Sequence, residues 1–298
     1  KELHPELESP WLEEYYNSME VNQAVKEYAE QYLFGFDFDP DLKKAARMNM
    51  VMTGDGHANI FQLNSLAYPK KDDLGEKEVM EKAVLDSVAH SADSDFPFEN
   101  DDAQGKFDMI FTNPPFGANI PVNDPEILKM YDIAQSGSEP PEKLFIEACY
   151  RFLKPGGKMA IVLPDGILGN PNTLYLREWI MHKFKILGSV DLPVEAFLPN
   201  VGVQASLLFL QKKTQNEINF ADMGNEDYDV FMAIAEKVGH DRRGNPIYVR
   251  DEDGGEVIFE QEKKYIVKGK MKTRTEKTKA LDDDLPKIAE AYQNFLKG

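Results

Sequence analysis

Phe107-Asp108-Met109-Ile110-Phe111 runs through Thr112 into Asn113-Pro114-Pro115-Phe116, and this stretch decides the fold. Its first half is a short apolar run and reads as a strand. Two prolines cannot continue a strand ladder, because neither offers an N–H, so the chain must turn out at the strand's carboxyl end. Open α/β sheets hold their ligands at those ends.

Elements on both sides repeat the strand–helix rhythm. Upstream, Tyr32 to Asp37 reads as a strand, Asp41 to Val51 as a helix opened by Pro40, and Ile60 to Leu63 as a strand. Residues 69–105 are charge-rich and read as a surface insertion with one helix, Glu76 to Ala89. Downstream come a helix (Glu142 to Leu153), a turn (Lys154 to Gly157), a doubly buried strand (Met159 to Leu163) and a second helix (Leu174 to Phe184). Strands Ile186 to Val190 and Ala205 to Leu210 come next. This alternation predicts an α/β fold with a mostly parallel sheet, a core domain over residues 1–212. Residues 213–298 are more polar and read as a C-terminal extension. It holds a hairpin from Gly239 to Phe259 and a last helix from Leu285 to Leu296.

Composition narrows the function. Among 298 residues, 34 Lys and Arg face 52 Asp and Glu, a net charge of −18. That argues against a stand-alone nucleic-acid binder, whose affinity comes largely from neutralising phosphates. No apolar run approaches the roughly 20 residues of a membrane span, and no signal-peptide pattern opens the chain. One cysteine, Cys149, suits a reducing cytosol, so a cytoplasmic protein without membrane partner is expected. Cys149 lies within a helix and reads as core. The five histidines show no metal spacing, and neither a Walker A sequence nor a Gly-x-Ser-x-Gly elbow occurs. The acidic runs at 72–73, 100–102 and 282–284 read as solvated surface. Lys263 to Lys279 reads as an exposed basic segment, with contact to DNA phosphates as its functional alternative.

The Asn113–Phe116 turn suits one task, gripping a planar exocyclic amine. Such an amine is a poor nucleophile because its lone pair is delocalised into the ring. The Asn113 side-chain oxygen and the Pro114 backbone oxygen, accepting its two N–H hydrogens, favour the pyramidal form that can attack. Pro115 stiffens the bend, and Phe116 can stack on a base flipped from its helix. With a sulfonium as methyl donor no strong base is needed, and rate comes from alignment and charge stabilisation.

On these residues the chain resembles the modification subunits of type I restriction–modification systems, S-adenosylmethionine-dependent N6-adenine DNA methyltransferases. The resemblance is carried by Gly35-Phe36-Asp37-Phe38-Asp39-Pro40, Ala46-Arg47-Met48-Asn49, Phe107-Asp108, and Asn113-Pro114-Pro115-Phe116-Gly117. Leu153 through Gly166, Leu192-Pro193 with Phe197, and Phe231 to Gly244 extend it. It implies a Rossmann-like methyltransferase fold with strand order 3-2-1-4-5-7-6, the last strand antiparallel. It also implies S-adenosylmethionine as cofactor, with Asp37 on the ribose hydroxyls, Phe38 against the adenine, and Asn64 where the family commonly places an Asp. DNA is the implied substrate, with a specificity subunit and, in the restricting form, a restriction subunit as partners. Asp39 reads as the N-cap of the helix after Pro40.

One departure is large. The family's glycine-rich loop after the first strand is absent, and Gly54-Asp55-Gly56 reads as a helix stop. The chain is therefore expected to be a C-terminal piece of a longer protein, lacking the first strand. Two alternatives stand: an amino-methyltransferase acting on RNA or protein, or a binding module that has lost its cofactor.

Overall fold

A computed structural model describes residues 19–53, 59–67, 105, 107–117, 120–223, 227–267 and 270–297. They fall into two compact units, one holding the described residues up to 67 and the other those from 105 onward.

In the first unit α1 (Met19–Tyr32) leads to β1 (Gly35–Asp37), α2 (Pro40–Thr53) and β2 (Ile60–Gln62). The expected strand is thus shorter: α1 extends through Tyr32, whose ring meets Tyr28 one turn earlier at 5.0 Å. Asp39 caps α2 as predicted, its carboxylate accepting from the N–H groups of Asp41 (2.7 Å) and Leu42 (3.2 Å). Pro40 fits at the first helical position because its missing N–H would have no partner there. β1 and β2 pair in parallel, and Phe34 and Phe36 stack near the buried Phe61. Arg47 Nε donates to the Ile60 carbonyl at 3.1 Å and ties α2 to β2.

The second unit begins with β3 (Phe107–Thr112), α3 (Pro125–Leu128), α4 (Pro141–Phe152) and β4 (Leu153–Pro164). It continues with α5 (Asp165–Gly169), α6 (Leu174–Lys183), β5 (Phe184–Leu192), β6 (Ala205–Lys212), α7 (Gln215–Asp222) and β7 (Phe231–Ile234). The sheet order is β3-β4-β6-β5-β7. All strands point one way except β6, which runs antiparallel to both β4 and β5. Counted as the resemblance implies, β2-β1 reproduces 3-2 and β3-β4-β6-β5 reproduces 4-5-7-6, an α/β fold with a mixed, mostly parallel sheet. β7, from the polar stretch after residue 212, adds a further strand beside β5.

The expected turn at 154–157 lies inside β4. There the register jumps from Phe107↔Leu153 to Met109↔Lys158, and Gly156 takes φ +80°, a conformation open to glycine. The sheet's core is apolar: Leu144, Ile146, Leu153, Ile161, Leu163, Leu176, Phe184 and Leu210 are buried.

Beyond β7 the segment expected as a hairpin instead turns twice, at Gly244 and Gly254, both at positive φ, with only single bridges His240↔Pro246 and Arg250↔Glu256 across the turns. The basic stretch is not merely an exposed segment. It forms the ribbon β8 (Ile258–Val267) and β9 (Lys270–Lys279), antiparallel over ten residue pairs. α8 (Leu285–Phe295) then packs on the sheet, Tyr292 meeting Phe209 at 5.7 Å and Phe231 at 5.1 Å. Asp282 to Asp284 are half-buried rather than solvated: Asp284 accepts from the N–H groups of Glu236 and Lys237, and Lys237 pairs with Asp282 at 2.9 Å. The insertion at 69–105 and its expected helix lie outside the described residues, apart from Gly105.

Buried charges brace this frame. Lys212 Nζ donates to the carbonyls of Tyr150 (2.8 Å) and Leu153 (2.9 Å), closing the C-terminal end of α4, and lies 4.2 Å from the centre of the Tyr150 ring. Burial, with the nearby charges of Lys183 and Arg151, holds its ammonium down to about 8. An unfolded lysine keeps its proton to about 10.4. Between these values the unfolded chain binds the extra proton, so this group's contribution to stability rises as pH climbs through that window. Urea titrations of the wild type and Lys212→Met at neutral pH and near pH 10 should show their stability difference shifting in favour of the wild type. The shift is expected to approach, at most, roughly 3 kcal/mol.

Candidate active site

The turn that decides the fold lies at the carboxyl end of β3, as expected. Asn113 and Pro115 are exposed, Pro114 is buried, and Phe116 is half-buried. The next residue along the chain holds the turn in place. The Gly117 N–H donates to Glu142 Oε2 at 2.8 Å, and Glu142 is buried in the first turn of α4. Burial raises the Glu142 carboxyl above its ordinary value, against the lowering effect of its own backbone N–H and that of Gly117. A Cβ on Gly117 would stand 1.9 Å from Pro141 Cδ and 2.9 Å from Glu142 Oε2, so only glycine lets the loop lie this close to the helix. Gly117→Ala must push the loop away, and a misplacement of this size is expected to slow any reaction that depends on the Asn113–Phe116 turn about 10²-fold. Initial rates of that reaction, beside the melting temperature of the variant, would check this.

Phe116 is oriented from a different strand. Its ring packs edge-on against Phe197, with centroids 5.4 Å apart and planes at 73°. Phe197 ends a short 3₁₀ turn, Val194–Phe197, just beyond the carboxyl end of β5. Glu195 in the same turn is bound by Arg242 Nε at 2.8 Å, and this pairing holds its carboxyl below the usual range. The carboxyl ends of β4 and β5 add two acids. Asp191 accepts from Gln204 Nε2, and Asp165 from Ser206 Oγ at 3.3 Å. Burial first, then the charge of Asp191, raises the Asp165 carboxyl despite the bond from Ser206.

The other candidate residues belong to the first unit. Asp37 ends β1, where one carboxylate oxygen accepts from the Asp39 N–H at 2.8 Å and its carbonyl accepts from the Leu63 N–H at 3.1 Å. Phe38 is 74% exposed. Asn64 is exposed, and its Oδ1 accepts from the Leu66 N–H at 3.0 Å in a local turn. These three residues are gathered in the first unit, and Asn113 to Phe116 in the second.

Sequence reasoning missed Glu142 as the anchor of the loop and the contact of Phe197 with Phe116. The glycine after Phe116 was the only local signal for the first. Nothing near residue 116 announces the second. Cys149 is buried as expected, which pushes its thiol up to about 12 and removes it as a nucleophile. His182 sits at the surface, 3.3 Å from Asp222. Among the described residues no group of His, Cys, Asp and Glu could hold a metal ion, and no helix is long and apolar enough to cross a membrane.

The profile of the family described as N-6 DNA Methylase matches residues 15–238. A curated relative, the type I restriction enzyme EcoEI methylase subunit of Escherichia coli, is 30% identical over 110 residues. That match covers 35% of this chain and 21% of the relative, so the chain spans about a fifth of the relative's length. Among solved structures, the type I restriction enzyme EcoKI M protein is 21% identical, with 61% of this chain and 31% of that one covered and a TM-score of 0.39. A chain from an assembled type I R-M system is 20% identical, with 68% and 34% covered and a TM-score of 0.45.

Proposed function

The chain belongs to the N-6 DNA methylase family, and from that premise we propose that it transfers a methyl group to N6 of adenine in DNA as part of a type I modification subunit. The observation that carries this reading is the Asn113–Phe116 loop, set at a strand's carboxyl end and fixed by Gly117 on Glu142 and Phe116 on Phe197.

The Asn113 side-chain oxygen and the Pro114 carbonyl accept the two N6 hydrogens. This pulls the nitrogen lone pair out of conjugation and stabilises the positive charge that grows on it. Phe116, its ring plane held by Phe197, stacks on the flipped base and limits its swing. Pro114 and Pro115 restrict the backbone, so the acceptors need little reordering when the base arrives.

S-adenosylmethionine, the donor this family implies, supplies an electrophilic methyl on a sulfonium whose leaving group departs neutral. The residues of the first unit fit its nucleoside part. Asp37 offers a carboxylate to the ribose hydroxyls, since the Asp39 N–H occupies only one of its oxygens. Phe38 offers an exposed aromatic face to the adenine. Asn64 Oδ1 accepts from Leu66 and keeps a second lone pair with which it can accept from the adenine amine. The described residues offer no glycine-rich cradle for the methionine part.

DNA and a specificity subunit, with a restriction subunit in the cutting form, are the partners of this reading, in the cytoplasm. Digesting DNA from cells that express the intact system should release N6-methyladenine. Modified cytosine or modified RNA in its place would overturn the assignment.

A further inference from the structure

The Val194–Phe197 turn is tied to the C-terminal extension by a charged pair, and the tie comes from beyond residue 238, where the family match ends. The apolar side of the turn rests on the sheet, with Ala196 and Phe197 packed against the buried Val190, Leu192 and Ala235. Such contact is non-directional and leaves a short turn free to shift along the surface. The polar side is fixed differently. Arg242 Nε donates to Glu195 Oε1 at 2.8 Å, a charge-assisted bond with a set direction.

The arginine stands on a stiff support. The Asp241 carboxylate accepts from the N–H groups of Arg243 (2.8 Å) and Asn245 (2.9 Å) and from Asn245 Nδ2 (3.0 Å), closing a turn around residue 242. The backbone adds the Asp241 N–H to the Asn245 carbonyl and the Gly244 N–H to the Asp241 carbonyl, with Gly244 at φ +82°. A Cβ on Gly244 would lie 3.6 Å from Pro199 Cδ, so the same turn also meets the chain just after Phe197. Beside the pair the extension does not fill the space: a cavity lined by Glu195, His240, Arg242 and Ile247 among others opens there. Packing therefore does not stand in for the ion pair at Glu195.

We infer that Arg242 is a positioning residue for methyl transfer: it locks the Val194–Phe197 turn, and through Phe197 it sets the ring plane of Phe116, the face offered to the flipped base. The path of contact is short. It runs from Arg242 to Glu195, along the turn to Phe197, and edge-on at 5.4 Å to Phe116. Arg242 itself touches neither base nor cofactor. The inference rests on Phe116 as the stacking ring and adds what orients it.

The test labels the full chain with 4-fluorophenylalanine and follows Phe116, identified as the fluorine resonance missing from Phe116→Leu. Arg242→Met and Glu195→Gln should each shift or broaden that resonance. The double variant should do no more than either one, because both remove the same bond. Arg242→Lys keeps a charge within reach of Glu195 and should bring the signal back toward wild type. Lys237→Met, which breaks the extension's own ion pair with Asp282, should leave it in place. In the full-length complex Arg242→Met should lower kcat about tenfold with the KM for S-adenosylmethionine unchanged. Its melting temperature should stay near wild type, since exposed ion pairs contribute little stability. If Arg242→Met disturbs folding by circular dichroism, Glu195→Gln carries the test. An unmoved Phe116 resonance, an equal shift in Lys237→Met, or an unchanged kcat would overturn the proposal. The fluorine signal requires no catalysis. A wild type that transfers no methyl group to adenine would therefore refute the proposed function, and the resonance would still decide whether Arg242 orients Phe116.

Discussion

Asn113→Ala is expected to lower methyl transfer 10²–10³-fold while leaving stability within about 0.5 kcal/mol of wild type. The two effects separate because Asn113 is exposed, while in the proposed reading its side-chain oxygen is one of the two acceptors for the substrate amine. Removing it leaves Pro114 to polarise one N–H and lets the nitrogen lone pair relax into the ring. Loss of a single fixed polar partner of a developing charge has that magnitude in other enzymes. The assay counts labelled methyl groups entering duplex DNA, with the chain assembled into its full-length complex, beside a thermal melt. Undiminished transfer by the variant would remove the loop from the chemistry. Binding of DNA should change little, because phosphates carry most of that affinity.

The largest loss of stability is expected from Glu147→Ala. Glu147 is 1% exposed, and its carboxylate accepts from the N–H groups of Asp132 (3.1 Å) and Ile133 (3.0 Å) and from Arg151 Nε (2.9 Å) and Nη2. It ties the chain before α4 to the middle of that helix. Cutting the carboxylate away strands two backbone donors and takes the main acceptor from a guanidinium in the same buried space. Breaking a buried ion pair from one side costs about 3–5 kcal/mol. Urea denaturation should register that loss, with Glu147→Gln intermediate because its amide oxygen can still accept. A loss below about 1 kcal/mol would mean that water replaces the carboxylate and that the network contributes little.

These two residues also mark what could be foreseen. The Asn113 loop was legible because two prolines after an apolar run admit one backbone outcome, an exit at a strand end. Asp39 was legible as a cap because the capping bonds reach only two and three residues along the chain. The ribbon could have been found by period rather than charge, since Lys270-Met271-Lys272-Thr273-Arg274-Thr275 alternates. The role of Glu147 was not legible. A glutamate in a helix reads as solvated, and only the folded chain brings backbone donors from 14 and 15 residues away to it.

The sequence by itself determined the alternation of strands and helices, the bend at Asn113 and the acid ending β1, because hydrophobic period and proline chemistry act within a few residues. Tertiary structure alone decided that β7 adds a strand beside β5, that Glu142 moors Gly117 and that Phe197 braces Phe116. Each of these joins groups distant along the chain, and such contacts arise only when burial of the whole sheet outweighs the entropy of closing the loops between them.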